Sequence, residues 1–119
     1  MGSFSFPKSE RLYKKKAIQE LFDKGSSFYL FPFKVFFLPN PDQNSRYHQV
    51  LLSVSKKNYK RAVDRNLIKR RMRESYRLQK QTLPTEPKLW IGYIYSHREI
   101  ILFEEMKNKM LKTFTRITN

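Results

Sequence analysis

Between Lys56 and Lys80 the chain places eleven cations (Lys56, Lys57, Lys60, Arg61, Arg65, Lys69, Arg70, Arg71, Arg73, Arg77 and Lys80) against two acids, Asp64 and Glu74. That stretch of 25 residues carries +9 of the formal net charge of +15, and the other 94 residues share +6. A field of one sign this concentrated suits the capture of a polyanion. On a helical wheel turning about 100° per residue, Asn66, Lys69, Arg70, Arg73 and Arg77 fall on one arc. Arg65 flanks the arc, and Ala62 is small enough to let a backbone come close. A solvated helix face usually alternates signs so that residues four apart attract. Here like charges stack and repel, a cost that an opposing anion removes. Arginine dominates within the run, and its planar fork grips phosphate or a base edge through two parallel hydrogen bonds. Asn66, a weak helix former at the centre of the arc, can bond a phosphate or read a base edge.

Bond-breaking chemistry is thinly provided. The chain has no cysteine and two histidines, His48 and His97, with no acid–base pattern around either. The lack of cysteine excludes a disulfide scaffold, an iron–sulfur site, a zinc ribbon and a thiol nucleophile, and it fits a reducing cytoplasm. Asp64 and Glu74 lie among arginines and are expected to pair locally, so no metal site is assigned. Glu104 and Glu105 are expected to face solvent. The longest apolar stretch, Phe28 to Leu38, is interrupted by Pro32 and Lys34 and is shorter than the roughly 18 residues a membrane span needs. The residues therefore predict a nucleic-acid binder. RNA is favoured over DNA because no helix-turn-helix, zinc-finger or zipper pattern is present.

The elements that position the arc follow from periodicity. A content of 39% hydrophobic and 15% aromatic residues suffices for one modest core in 119 residues. The expectation is a single domain over residues 1–119, with 1–10 as a flexible lead. Met1-Gly2-Ser3 is either native or an expression remnant. Ala17, Ile18, Leu21 and Phe22 recur at helical spacing and predict a helix across Arg11–Gly25, with Gly25 at its end. Phe28–Leu38 reads as one strand, ordered after Pro32, and Pro39–Ser45 as a turn. A second strand over about Tyr47–Val54 would make an antiparallel hairpin with the first. The basic run, free of Gly and Pro from Asn58 to Lys80, is the longest helix, with Val63, Leu67, Ile68, Met72, Tyr76 and Leu78 turned to the core. Leu89–Tyr95 is a strand buried on both faces, in which Trp90 packs rather than stacks on a ligand. Leu102–Ile117 closes the chain as an amphipathic helix with Phe103, Met106, Met110, Leu111 and Phe114 at helical intervals. The order α-β-β-α-β-α makes an α+β fold, a small two-layer sandwich in which helices cover a sheet.

The segments Ser53-Val-Ser-Lys-Lys57 and Arg61-Ala-Val-Asp-Arg-Asn-Leu-Ile-Lys-Arg-Arg-Met-Arg-Glu-Ser-Tyr-Arg77 closely resemble the arginine-rich signature of the bacterial ribonuclease P protein component. The likeness runs on through Arg11-Leu12, Leu21-Phe22, Gly25, the aromatic strand, the Trp90 strand and the last helix. It thus spans essentially the whole chain, with the central motif as its specific part. Two departures stand out: Tyr59-Lys60-Arg61 where many members carry Gly-Asn, and Ile18 where an aromatic is often found. The resemblance implies an α-β-β-β-α-β-like sandwich of the ribosomal protein S5 domain 2-like kind. It also implies a left-handed β-α-β crossover, against the usual right-handed rule.

The resemblance further implies a role: a subunit that binds the catalytic RNA of ribonuclease P and helps it recognise precursor tRNA. The 5′ leader of that tRNA is removed by endonucleolytic hydrolysis. The catalytic centre and its Mg²⁺ ions would then belong to the RNA, with no catalytic side chain and no tightly held metal in the protein. On this chain Arg61, Arg65, Asn66, Lys69, Arg70, Arg73 and Arg77 would meet RNA, while Lys56 and Lys57 would face the leader or nearby phosphates. Ile18, Phe22 and Phe36 would line the leader groove, although Phe22 and Phe36 are core residues by default in a domain of this size. The free protein is expected to be cytoplasmic and monomeric. A ribosomal or other structural RNA-binding protein without a role in tRNA processing is the alternative, and an autonomous nuclease using His48 and His97 a more distant one. Self-repulsion at this charge predicts a fold that gains stability from phosphate, sulfate or RNA.

Overall fold

The aromatic run from Phe28 to Leu38 cannot continue as one strand, because Pro32 has no N–H to give and the chain folds back on itself there. In the computed structural model, which describes residues 6–118, Ser26–Leu30 (β1) and Phe33–Pro39 (β2) form an antiparallel hairpin closed at Phe31-Pro32. The single strand expected there is two. The remaining elements are α1 (Lys15–Lys24) before the hairpin, then β3 (Gln49–Val54), α2 (Ala62–Gln79), β4 (Leu89–Tyr95) and α3 (Phe103–Thr118).

The sheet order is β1-β2-β4-β3. β4 takes β2 antiparallel on one side, from Phe33↔Tyr95 to Pro39↔Leu89, and β3 parallel on the other, from Gln49↔Trp90 to Val54↔Tyr95. β2 and β3 therefore do not form the expected hairpin; the strand that is apolar on both faces inserts between them. The connection from Pro39 to His48 is an arch fastened to the start of β4. The Gln43 amide donates to the carbonyls of Asn40 and Lys88 at 2.6 and 3.0 Å, and its oxygen accepts the Lys88 N–H at 2.9 Å. The parallel pair β3 and β4 is joined through α2, so the β-α-β unit carries the basic helix.

α2 begins four residues later than the apolar pattern suggests. Asn58 donates its amide to the Ser96 carbonyl at 3.0 Å, and the Tyr59 ring is buried beside Tyr95 at 6.1 Å between centroids. These anchors hold residues 55–61 as a loop. From there Ile68, Met72, Ser75, Tyr76 and Gln79 form the buried stripe. Val63 and Leu78 are 67% and 40% exposed, contrary to expectation. Val63 lies about 140° round the wheel from Ile68, and the stripe is narrow enough to exclude Leu78 as well.

α2 and α3 cover one face of the sheet over Phe33, Val35, Val50, Ile91, Tyr93 and Tyr95. α1 lies on the opposite face, where Leu21 meets Leu12 and Trp90, and it covers only part of that face. The α+β class holds. Residues 6–10, expected to be a flexible lead, are folded onto the body instead. Phe6 packs edge-on to Tyr76 at 5.4 Å, Glu10 is buried, and Leu12 donates its N–H to the Val50 carbonyl at 3.0 Å. Met1-Gly2-Ser3 lies outside the described residues.

Candidate nucleic-acid interface

The arc read from the sequence is a real surface. Arg61, Ala62, Asn66, Arg70 and Arg73 are exposed along α2, and Lys69 is half-buried at its border with the sheet. Three cations of the helix are already engaged. Arg65 folds back and donates one terminal nitrogen to the carbonyls of Tyr59 and Lys60 at 2.8 Å each, so it fastens the loop that precedes the helix. Arg77 donates to Glu74 through Nε and Nη2 at 3.1 and 2.5 Å, one turn away. Arg71, on the flank, donates to the Ile101 carbonyl at 2.8 Å and ties α2 to the start of α3. Asp64 sits in the first turn of α2, where a carboxylate favours the positive end of the helix dipole. The N-cap residue Arg61 has no side-chain capping bond, so the opening amides of the helix add to the field. Lys56 and Lys57 are exposed on the turn between β3 and α2, ahead of that same end.

Ile18, Phe22 and Phe36 also come together. Phe22 follows Ile18 by one turn of α1 and meets the ring of Phe36 on β2 edge-on, with centroids 4.8 Å apart. Neither ring is core: Phe22 is 37% exposed and Phe36 half-buried. Ile18 packs with Phe36 and Leu51 against the cluster of Leu12, Leu21 and Trp90. Gly92 eases the seating of α1 here, since a Cβ there would stand 3.1 Å from the Leu21 side chain, while the Phe22 ring, at 3.9 Å, would be in ordinary contact. The Lys34 ammonium lies 5.5 Å from the Phe36 centroid and adds a cation to the aromatic pair.

The two halves of the site join across β3. Leu51, whose neighbour in register is Gly92, lies on the α1 side of the sheet and also lines a cleft of about 180 Å³ with Lys69, Arg73, Arg11 and Tyr13. An apolar floor thus runs from the Phe22–Phe36 pair to the edge of the basic arc. Tyr13 and Lys34 are members that the sequence reading passed over. Their signals were there: Tyr13 is the one aromatic in the basic run Arg11–Lys16, and Lys34 the one charge in the aromatic run Phe28–Leu38.

His48 and His97 lie at opposite ends of β4. His48 Nδ1 accepts the Leu89 N–H at 3.0 Å and Nε2 donates to the Pro84 carbonyl at 2.7 Å, whereas His97 follows Tyr95 and packs on Phe31. Seven residues of strand separate the two regions by about 20 Å. Burial lowers the His48 pKa, with the nearby Lys88 ammonium pushing the same way, while the bond to Pro84, Glu86 and Glu10 pull it up. The ring is neutral and structural. Among the described residues no three of His, Cys, Asp and Glu cluster where they could hold a metal, and no helix is long and apolar enough to cross a membrane. Trp90 packs as expected, donating Nε1–H to the Gln49 amide oxygen at 3.1 Å.

Comparison with known proteins bears on this geometry. A family model described as Ribonuclease P matches residues 6–118. The ribonuclease P protein component of Porphyromonas gingivalis is 34% identical over 98% of this chain and 88% of its own length. That of Petrotoga mobilis is 29% identical over 98% of both chains. The solved ribonuclease P protein of Thermotoga maritima superimposes with a TM-score of 0.76 at 27% identity, covering 90% of this chain and 96% of its own. The Staphylococcus aureus protein gives 0.73 at 26%, covering 92% and 95%. With the arginine-rich helix, the aromatic pair and the four-stranded sheet in place, the chain belongs to the bacterial ribonuclease P protein family, whose role is processing of tRNA 5′ ends.

Proposed function

We propose that this protein binds the catalytic RNA of ribonuclease P through the exposed arc of α2 and holds the 5′ leader of precursor tRNA on the α1 side of the sheet. Arg61, Lys69, Arg70 and Arg73 neutralise phosphates of the RNA, and Asn66 hydrogen-bonds to a phosphate or a base edge. Arg65 keeps the loop that carries Lys56 and Lys57 in place, and those two lysines meet the strand as it enters. Ile18, Phe22 and Phe36 present an apolar and aromatic surface to unpaired bases, where each stacked base contributes about 1–3 kcal/mol. Arg77 acts with Glu74 as a pair at the far end of the arc.

The observation that carries this reading is the continuity of the floor. Leu51 is shared by the apolar groove and the cleft lined by Lys69 and Arg73, so one strand can lie on both at once. In this reading the protein supplies no catalytic side chain. The RNA holds the Mg²⁺ ions that activate water, and the protein lowers the repulsion that RNA and substrate phosphates exert on each other. The free protein works as a cytoplasmic monomer, consistent with its lack of cysteine and its charge.

Reconstitution with a bacterial ribonuclease P RNA tests the proposal. At low Mg²⁺ the protein should stimulate cleavage of precursor tRNA, and it should cut nothing alone. A protein that binds the RNA without stimulating cleavage would instead be a structural RNA binder. Cleavage by the protein alone, lost when His48 and His97 are replaced, would make it an autonomous nuclease.

A further inference from the structure

We infer that Tyr13 is a stacking platform for one unpaired nucleotide of the precursor leader, at the end of the groove where the sheet meets α2. The inference rests on the proposed leader groove and adds to it a position outside the Ile18, Phe22 and Phe36 set.

Tyr13 is 53% exposed, although it sits between the buried Leu12 and the start of α1. Its backbone is not free to wander. Arg11 bridges to Val50, Leu12 donates to the Val50 carbonyl at 3.0 Å, and Arg11 is locked by two bonds of 3.2 and 3.0 Å to the Phe6 carbonyl. An aromatic ring held out by rigid neighbours loses little entropy when a base docks on it. Its setting also suits a nucleotide rather than a peptide side chain. The Lys8 ammonium lies 5.0 Å from the ring centroid, and the cleft of about 180 Å³ on the α2 side carries Lys69 and Arg73 opposite Leu51. A base against the ring would leave its phosphate within the field of those two cations.

On its other side Tyr13 lines a wider depression of about 520 Å³ that includes Lys14, Asn40, Gln49 and Trp90. The ring is thus a ridge between two hollows, with Lys14 continuing the positive charge beyond it. A strand crossing from Phe36 over Leu51 reaches Tyr13 before it leaves the protein, and the ring marks the limit of the groove. Unpaired nucleotides of the RNA subunit share the same chemistry, but only the leader would arrive along the floor from Phe36.

The test uses the reconstituted holoenzyme and precursors carrying a single abasic nucleotide at successive leader positions. With wild-type protein, one position beyond those sensitive to Phe36 should show a rise in KM of fivefold or more, with kcat held. In Tyr13→Ala that position should become insensitive, because the partner ring is gone, while Tyr13→Phe should keep the wild-type pattern. Melting curves of both variants check that the fold is retained. An unchanged abasic profile in Tyr13→Ala overturns the inference, as does a Tyr13→Phe variant that behaves like Tyr13→Ala. A loss confined to affinity for the RNA subunit, with the leader profile intact, also overturns it. If no leader position is sensitive even with wild-type protein, the groove reading itself fails, which is a distinguishable result.

Discussion

Lys80 and Glu10 stand 70 residues apart in sequence, yet the lysine ammonium donates to both carboxylate oxygens, at 3.0 and 2.9 Å, with both side chains almost wholly buried. The pair fastens the segment before α1 to the end of α2. Removing one partner leaves the other charged without its counter-ion in a poorly hydrated place, at a cost of about 3–5 kcal/mol. Lys80→Met should therefore lower the melting temperature sharply. Combining it with Glu10→Gln should restore part of the loss, and thermal unfolding of the two variants measures the difference.

His48 makes stability depend on pH. Its folded pKa lies below the ordinary 6.5 because the ring is buried, so the unfolded chain takes up a proton first as the pH falls. The contribution is fully present above about 6.5 and is lost on acidification, with a slope of at most about 1.4 kcal/mol per pH unit for one proton. Unfolding in denaturant between pH 8 and pH 5 should show this fall in the wild type and a flatter profile in His48→Gln.

Two glycines hold α1 against the sheet. Gly25 ends the helix, with its N–H on the Leu21 carbonyl at 2.9 Å; a Cβ there would collide with that carbonyl oxygen and press on the Phe37 oxygen at 3.0 Å. At Gly92 the added carbon meets a methyl of Leu21, which can turn aside. Both alanine substitutions overpack, within a range of roughly 1–3 kcal/mol, and Gly25→Ala should stand at or above the upper end. Gly92→Ala should leave leader binding unchanged, since the added carbon stands at ordinary contact distance from the Phe36 and Phe22 side chains, 3.8 and 3.9 Å away. Melting temperature and the KM for precursor check the two expectations.

The arc is not uniform, and the salt dependence of assembly should reveal it. Replacing Arg70 or Arg73 by Ala removes an exposed cation and should reduce the slope of log K against log salt by about one unit each. Arg77→Ala should change the slope less, because Glu74 already offsets that charge. Sulfate should raise the melting temperature of the wild type, and more so than that of Arg73→Ala. Equal slopes for Arg73→Ala and Arg77→Ala would mean that the arc is engaged along its full length.

Much of this was legible because it was local. The amphipathic spacing of α1 and α3, the apolar run of Leu89–Tyr95 and the charges of α2 each report on one element alone. What escaped was set by partners distant in sequence. Nothing near Phe33–Pro39 says that β4 will come between it and Gln49–Val54. Nothing near Phe6 says that its ring will find Tyr76. The wheel placed the arc well but drew the core stripe too wide, since Val63 and Leu78 are apolar without being buried. For the site, residue type and spacing brought out Asn66, Arg70 and Arg73. Tyr13 needed the sheet edge before its exposed ring acquired meaning.

Past Arg73 the cations along and just after α2 are already paired with acids. At the start stand Lys60, Arg61 and uncapped amides; at the end Arg77 is held by Glu74 and Lys80 by Glu10. In an external field such a rod experiences a torque as well as a pull. A polyanion approaching by diffusion would turn the protein until the opening of α2 leads, so the first encounter would already have a direction, and the Leu51 floor would swing into place behind it.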